Sequence, residues 1–381
     1  MKNTLPYIFQ QLFDKTYLMR CSIIGLLQLF IVFSALSQSI VDSIPKKWLL
    51  TGYVETYFVS SKKTEAGGPL AAFLYNHNRN QRLKINQAFL GADYTGQQFR
   101  FQLALQTGTY VQDNYSDEPA VLRPLLKCFA GIPLNKTKSS WLDAGIFPSY
   151  IGFESTQSFD NKTLTRSILA ENSPYYMTGL RLSHTAGKKL SMAWYLLTGW
   201  QRISPIKGNS LPSLGWQWTY RASNFSTVNW SFFAGSAQPD IDRKWRFFNN
   251  FYWQYERNKW FLTAGLDLGA EQQFKSSRDY YFWWSPVIIG GYQWNSHWRT
   301  ALRIEKYSDP NEVIARASSG MPVVTSGISL NVDYMPISEL LCRAEWKNLQ
   351  GKHPIFPTSN SSINQINPIT VAVAWRWNKK L

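Results

Sequence analysis

The chain has 381 residues, a formal charge of +16 and 44% hydrophobic residues, yet beyond residue 37 it contains no run of 18 apolar residues. That excludes membrane-spanning helices, and three cysteines in a chain this long exclude a disulfide framework. The basic balance points to nucleic acid, an acidic membrane surface or anionic solutes; with no nucleic-acid-binding motif or domain beside it, nucleic acid is set aside.

Lys15 and Arg20 precede the apolar run 21–33, and Ala35-Leu36-Ser37 places small residues where a signal peptidase needs them. Residues 1–37 therefore read as a signal peptide, leaving 38–381 as the exported protein. Setting aside Lys2, Lys15, Arg20 and Asp14 removes three positive charges and one negative, so +14 remains.

From there the recurring pattern is alternation with period two. In 260–270 one face reads Trp260, Leu262, Ala264, Leu266, Leu268 and the other Phe261, Thr263, Gly265, Asp267, Gly269. Strands are expected at 48–58, 82–94, 98–110, 122–133, 139–147, 175–186, 189–200, 213–221, 226–235, 246–256, 259–270, 281–294, 297–307, 322–334, 338–347 and 368–377. Segments of about ten residues with one apolar and one polar or small face fit strands crossing a bilayer obliquely. Cys128 and Cys342 lie on apolar faces, as two small apolar side chains. Aromatic residues are 16% of the chain, with 17 Trp, and many sit at segment ends as interfacial girdles would. Tyr280-Tyr281-Phe282-Trp283-Trp284 reads as a lipid girdle or a docking surface for a neighbouring protein.

The links alternate short and long without a miss, seven short and eight long. Tight turns on one rim and larger loops on the other are what a barrel with both ends in the periplasm requires. The expected fold class is therefore all-β: a transmembrane antiparallel up-and-down β-barrel of about sixteen strands (fourteen to sixteen), in a bacterial outer membrane. In hydrocarbon every backbone group must pair within the protein, which a closed sheet achieves. About sixteen strands also enclose a water-filled lumen.

The link 148–174 reads as a structureless insertion, of a length that in a compact domain marks a functional loop, and it mixes apolar residues with charges of both signs. Gly152-Phe153-Glu154, Asp160-Asn161, Arg166-Ser167, Pro174-Tyr175-Tyr176 and Gly179-Leu180-Arg181 follow one another here, and Gly52-Tyr53-Val54-Glu55-Thr56-Tyr57 opens the first strand. These residues resemble the motif core of the OmpL-like β-barrel porin family of Bacteroidota outer membranes. The resemblance implies an outer-membrane barrel, and the link is similar in position to the third external loop that narrows the lumen of general porins.

On that basis 148–174 is the candidate constriction, with Glu154, Asp160, Asn161, Arg166 and Arg181 as eyelet residues. Arg166 and Arg181 would face Glu154 and Asp160 across a gap, setting up a transverse field. By alternation Arg100, Arg181, Arg246, Arg303, Arg343, Lys347 and Arg376 point inward, against Asp143, Glu256, Asp267, Glu305, Asp333 and Glu345. The excess positive charge must then lie in links and ends such as Lys62-Lys63 and Arg243-Lys244, where it can meet glycolipid phosphates. A mild anion preference is the expectation.

Enzyme chemistry finds little support. His77, His184, His297 and His353 are scattered without metal-ligand spacing, and Ser183 and His184 alternate to opposite faces. No cofactor motif appears. The expected function is a porin for passive diffusion of small hydrophilic solutes. The expected partners are those solutes and outer-membrane lipid and glycolipid, with room for a homo-oligomer or an envelope protein partner. The alternative is a barrel acting as a structural scaffold in an outer-membrane complex, with a plugged or incidental pore.

Overall fold

A side-chain period of two, kept up over segment after segment, can only be satisfied by strands whose two faces meet different surroundings. The computed structural model describes residues 47–381; the expected signal peptide lies outside the described residues. Sixteen long strands follow: β1 (Lys47–Ser60), β2 (Lys84–Thr95), β3 (Arg100–Thr107), β4 (Leu125–Pro133), β5 (Ser140–Pro148), β6 (Tyr176–Ala186), β7 (Leu190–Leu197) and β8 (Ser213–Ser223), then β9 (Ser226–Gly235), β10 (Arg246–Arg257), β11 (Trp260–Gln272), β12 (Tyr280–Gln293), β13 (Trp298–Asp309), β14 (Val323–Ile337), β15 (Leu340–Gly351) and β19 (Ile369–Lys380). Three two-residue strands, β16 (Phe356–Pro357), β17 (Ser362–Ile363) and β18 (Gln365–Ile366), decorate the last long link.

Each long strand pairs antiparallel with the next, and β1 also pairs with β19, placing Tyr53 opposite Arg376. The ring is closed. Among the described residues no helix is long and apolar enough to cross a membrane.

The two faces are inverted relative to a soluble sheet. On β14 the polar Ser329, Asn331 and Asp333 are buried inside, while Ile328, Leu330, Val332 and Tyr334 are exposed outside. On β19 Thr370, Ala372 and Ala374 face in and Ile369, Val371 and Val373 face out. Apolar side chains on the outer face are stable only where the surroundings are hydrocarbon.

Three expectations need correction. The third strand stops at Thr107 instead of reaching 110, because Gly108 turns the chain at φ 123° into helix α1 (Thr109–Asn114). A Cβ there would lie 2.4 Å from Asn86 O, so only glycine makes that turn. The link 148–174 is not structureless: it contains helix α2 (Ile168–Glu171), whose Ser167 hydroxyl accepts from Ala170 N at 3.2 Å. In the 280–284 aromatic run, only Phe282 and Trp284 are exposed outside; Trp283 is buried inside against Phe248.

The lumen is far from empty on the long-link side. Leu70, Ala71, Phe73 and Leu74 from the first long link join Ile151, Leu164 and Ile168 from the third. Ala315, Ala317, Ile355 and Phe356 from the last two complete the cluster against inward Tyr57, Phe233 and Phe248. An apolar core therefore lies inside the barrel.

Candidate pore constriction

The segment following β5 crosses the lumen and is fixed at its start by one tyrosine. Tyr150 stacks on Tyr195 at 4.1 Å and donates through its hydroxyl to Phe232 O at 2.8 Å. Its own carbonyl accepts from Gln217 Nε2 at 2.7 Å and Ser231 Oγ at 3.0 Å. Gly152 N then donates to Asn250 Oδ1 at 3.1 Å. Irregular backbone inside a barrel has no ladder to satisfy it, so polar wall residues must.

The segment then folds back on itself. Asn161 clasps Ser155, accepting from its N at 2.8 Å and donating to its O at 2.9 Å. Ser158 donates to Glu55 of β1, a carboxylate that also accepts from Asn86 Nδ2 at 3.1 Å and meets His77 Nε2 at 3.2 Å.

On the far wall the segment lies against charges. Glu345 accepts from Thr165 N at 2.6 Å and Thr165 Oγ1 at 2.9 Å, and Glu305 from Ile168 N at 2.6 Å. Arg303 donates to Thr165 O at 2.6 Å and pairs with Glu345 at 2.6 Å. Arg343 and Arg299 both reach Asn161 O while pairing with Asp333. Arg303, Glu305, Arg343 and Glu345 thus point inward as alternation requires, but they are buried beneath the segment and act as its fastenings, not as charges lining open water.

The five eyelet candidates divide. Asn161 is the clasp. Asp160 pairs with Arg376, whose guanidinium lies 4.2 Å over Phe159. Glu154 caps α2, accepting from Ser167 N at 3.0 Å and from its hydroxyl. Burial pushes its carboxyl above the usual glutamate range, against the pull of Arg303 and Arg166. Arg166 sits beside Glu154 rather than opposite it: its Nη2 is 3.4 Å from Glu154 O and its guanidinium stacks 4.2 Å over Tyr175, with only 4% of the residue exposed.

Arg181 belongs to another group. On the near wall Arg100 of β3, Asp143 of β5 and Arg181 of β6 fall in one row, with Gly131 of β4 between Arg100 and Asp143. Arg100 Nε meets Asp143 Oδ1 at 2.6 Å, and Arg181 Nε meets Asp143 Oδ2 at 3.0 Å. Trp141 lies under Arg100 at 4.4 Å, while Phe129 and Phe147 flank Arg181 at 4.7 and 4.5 Å. The Asp143 side chain is fully buried, whereas the Arg100 and Arg181 side chains keep 21% and 20% of their surface. Two cations share one anion, so the row carries a net positive charge toward the lumen.

Between the segment and β1, β2, β4 and β19 lies a cavity of about 490 Å³, lined among others by Glu154, Gln157, Arg166, Lys127, Tyr175 and Arg376. Several of these partners escape a sequence reading. Glu55 and Arg299 were open to it, since both share the inward phase of their strands. Glu171 was not: it accepts from Tyr75 N at 2.7 Å and Asn76 N at 3.2 Å, partners nearly a hundred residues away.

The barrel is similar to solved outer-membrane channels. The channel DcaP of Acinetobacter baumannii aligns with a TM-score of 0.60 at 11% identity, over 89% of this chain and 100% of that one. OmpT of Vibrio cholerae aligns with a TM-score of 0.57 at 10% identity over the same shares, and the anion-selective porin from Comamonas acidovorans with 0.59 at 9%, over 87% and 100%. At such identities the likeness establishes the fold. No curated protein matches the chain in sequence. The family model described as "Putative beta-barrel porin-2, OmpL-like" matches residues 48–376, almost the whole described barrel. The chain belongs to this OmpL-like β-barrel porin family and is an outer-membrane porin.

Proposed function

We propose that small hydrophilic solutes cross this porin by passive diffusion, that 148–174 sets the width of the path, and that anions are mildly preferred. The observation that carries the reading is the placement of that segment. It is bonded to β1, β8–β10 and β13–β15, while Arg100 and Arg181 on the near wall stay about a fifth exposed. A passing anion meets two guanidiniums that are already positioned by one buried carboxylate, in a region where the field is poorly screened. The reading involves no enzyme activity and no cofactor. Its partners are the solutes and the surrounding lipid and glycolipid, together with further copies of the chain; one similar barrel, OmpT, is described in a trimer form.

Planar-bilayer conductance of the refolded protein under a salt gradient tests it. Stable ohmic steps with a reversal potential on the anion side are expected. A second reading, a plugged barrel serving as a scaffold, is favoured by the apolar cluster that the long links build inside the lumen. Electrical silence from a demonstrably folded barrel would select it.

A further inference from the structure

Resting on the reading that outer-leaflet glycolipid surrounds the barrel, we propose that the outward face of β13–β15 holds a phosphorylated glycolipid at one defined site. Its polar end is a row of three directly opposed residues: Lys306 on β13 faces Ser326 on β14, and Ser326 faces Gln350 on β15. All three point out of the barrel, since Glu305, Tyr307, Thr325 and Leu349 beside them are buried inside. The row lies near the rim that carries the long links. One row deeper, Ile288, Ile304 and Ile328 stand opposite one another and are exposed, and Leu302 and Leu330 follow. A groove of about 450 Å³ runs between the two zones, with Pro286 and Gly327 among its lining.

The charge in this groove is uncompensated. Lys306 Nζ lies 5.2 Å over the Trp284 ring, and among the described residues it has no carboxylate partner. The side chains of Ser326 and Gln350 likewise have no hydrogen-bond partner among the described residues. From Lys306 to Trp298 at the opposite rim is eight residues along one strand, or ~20 Å of depth for a tilted strand, close to the height of a barrel's apolar band. Lys306 therefore sits at the boundary of the hydrocarbon, where an ammonium is stable if its stem lies on apolar surface and its head meets an anion.

The complementary molecule has a phosphate at one end and acyl chains at the other. A phosphate at Lys306 would take donors from Ser326 and Gln350, while an acyl chain lies along the isoleucines. At this rim of an outer membrane, the leaflet that supplies such a molecule is the glycolipid one.

The test is native mass spectrometry of the full barrel in detergent, with diphosphorylated lipid A and its fully dephosphorylated form as probes. The wild type should retain lipid A and hold the dephosphorylated form roughly five-fold less well, the change expected of one interfacial lysine–phosphate contact. Lys306→Gln should lose the same factor for lipid A and lose nothing for the dephosphorylated form. Ile304→Trp, which fills the groove, should weaken both. Excess inorganic phosphate should displace neither. Equal retention of the two lipids by the wild type, unchanged retention by Lys306→Gln, or displacement by inorganic phosphate would each overturn the proposal.

Discussion

Arg100 and Asp143 meet across a strand that lies between theirs, and they can do so because Gly131 on that strand has no side chain. A Cβ on Gly131 would stand 2.0 Å from Asp143 Oδ1. The pair therefore depends on a glycine that needs no unusual backbone angle but must leave space. Gly131→Ala should push the carboxylate off Arg100, and Asp143→Asn should leave two guanidiniums sharing a neutral amide. Each is expected to lower barrel stability by ~1–3 kcal/mol, below the figure for a fully buried pair because both arginine side chains stay partly exposed. Urea unfolding in liposomes measures it; an unchanged midpoint would mean the pair contributes nothing.

Charge reversal separates the two arginines that the sequence groups together. Arg181→Glu should move the reversal potential in a salt gradient toward cations, since Arg181 keeps a fifth of its surface on the lumen side. Arg166→Glu should move it less and disturb the segment more, because Arg166 is buried on Tyr175 beside Glu154. A larger shift from Arg166 than from Arg181 would return Arg166 to the path of the ions.

Shortening 155–172 should raise single-channel conductance while the sixteen-strand ring stays intact. The milder Asn161→Ala removes the Ser155 clasp and should cost about 1 kcal/mol of local order per lost hydrogen bond, read as faster proteolysis within 155–165 and noisier current. Conductance that ignores both changes would place the solute path elsewhere.

Acidification should tighten the segment. A carboxyl whose folded-state pKa is raised binds more protons folded than unfolded, so its burial becomes less favourable as pH rises from the ordinary glutamate value of 4.5 toward the raised one. Conductance noise should therefore fall as pH drops through that window, and Glu154→Gln should flatten the dependence. An unaltered pH profile in Glu154→Gln would assign the effect to another group.

The sequence by itself determined the barrel. Strict alternation from β1 to β19 and the order of link lengths are local properties, and hydrocarbon outside a closed sheet leaves them one arrangement. It also determined which charges point inward, because Arg100, Arg303, Glu305 and Glu345 share their strands' polar phase. What each inward charge does was settled only by the tertiary structure. Arg303 and Glu345 fasten Thr165, Arg181 shares Asp143 with Arg100, and Asp160 is held by Arg376 of the last strand. The physical reason is that an irregular segment in a lumen takes whatever partners satisfy its backbone. Those partners come from strands 67 to 185 residues away, at distances that periodicity does not encode.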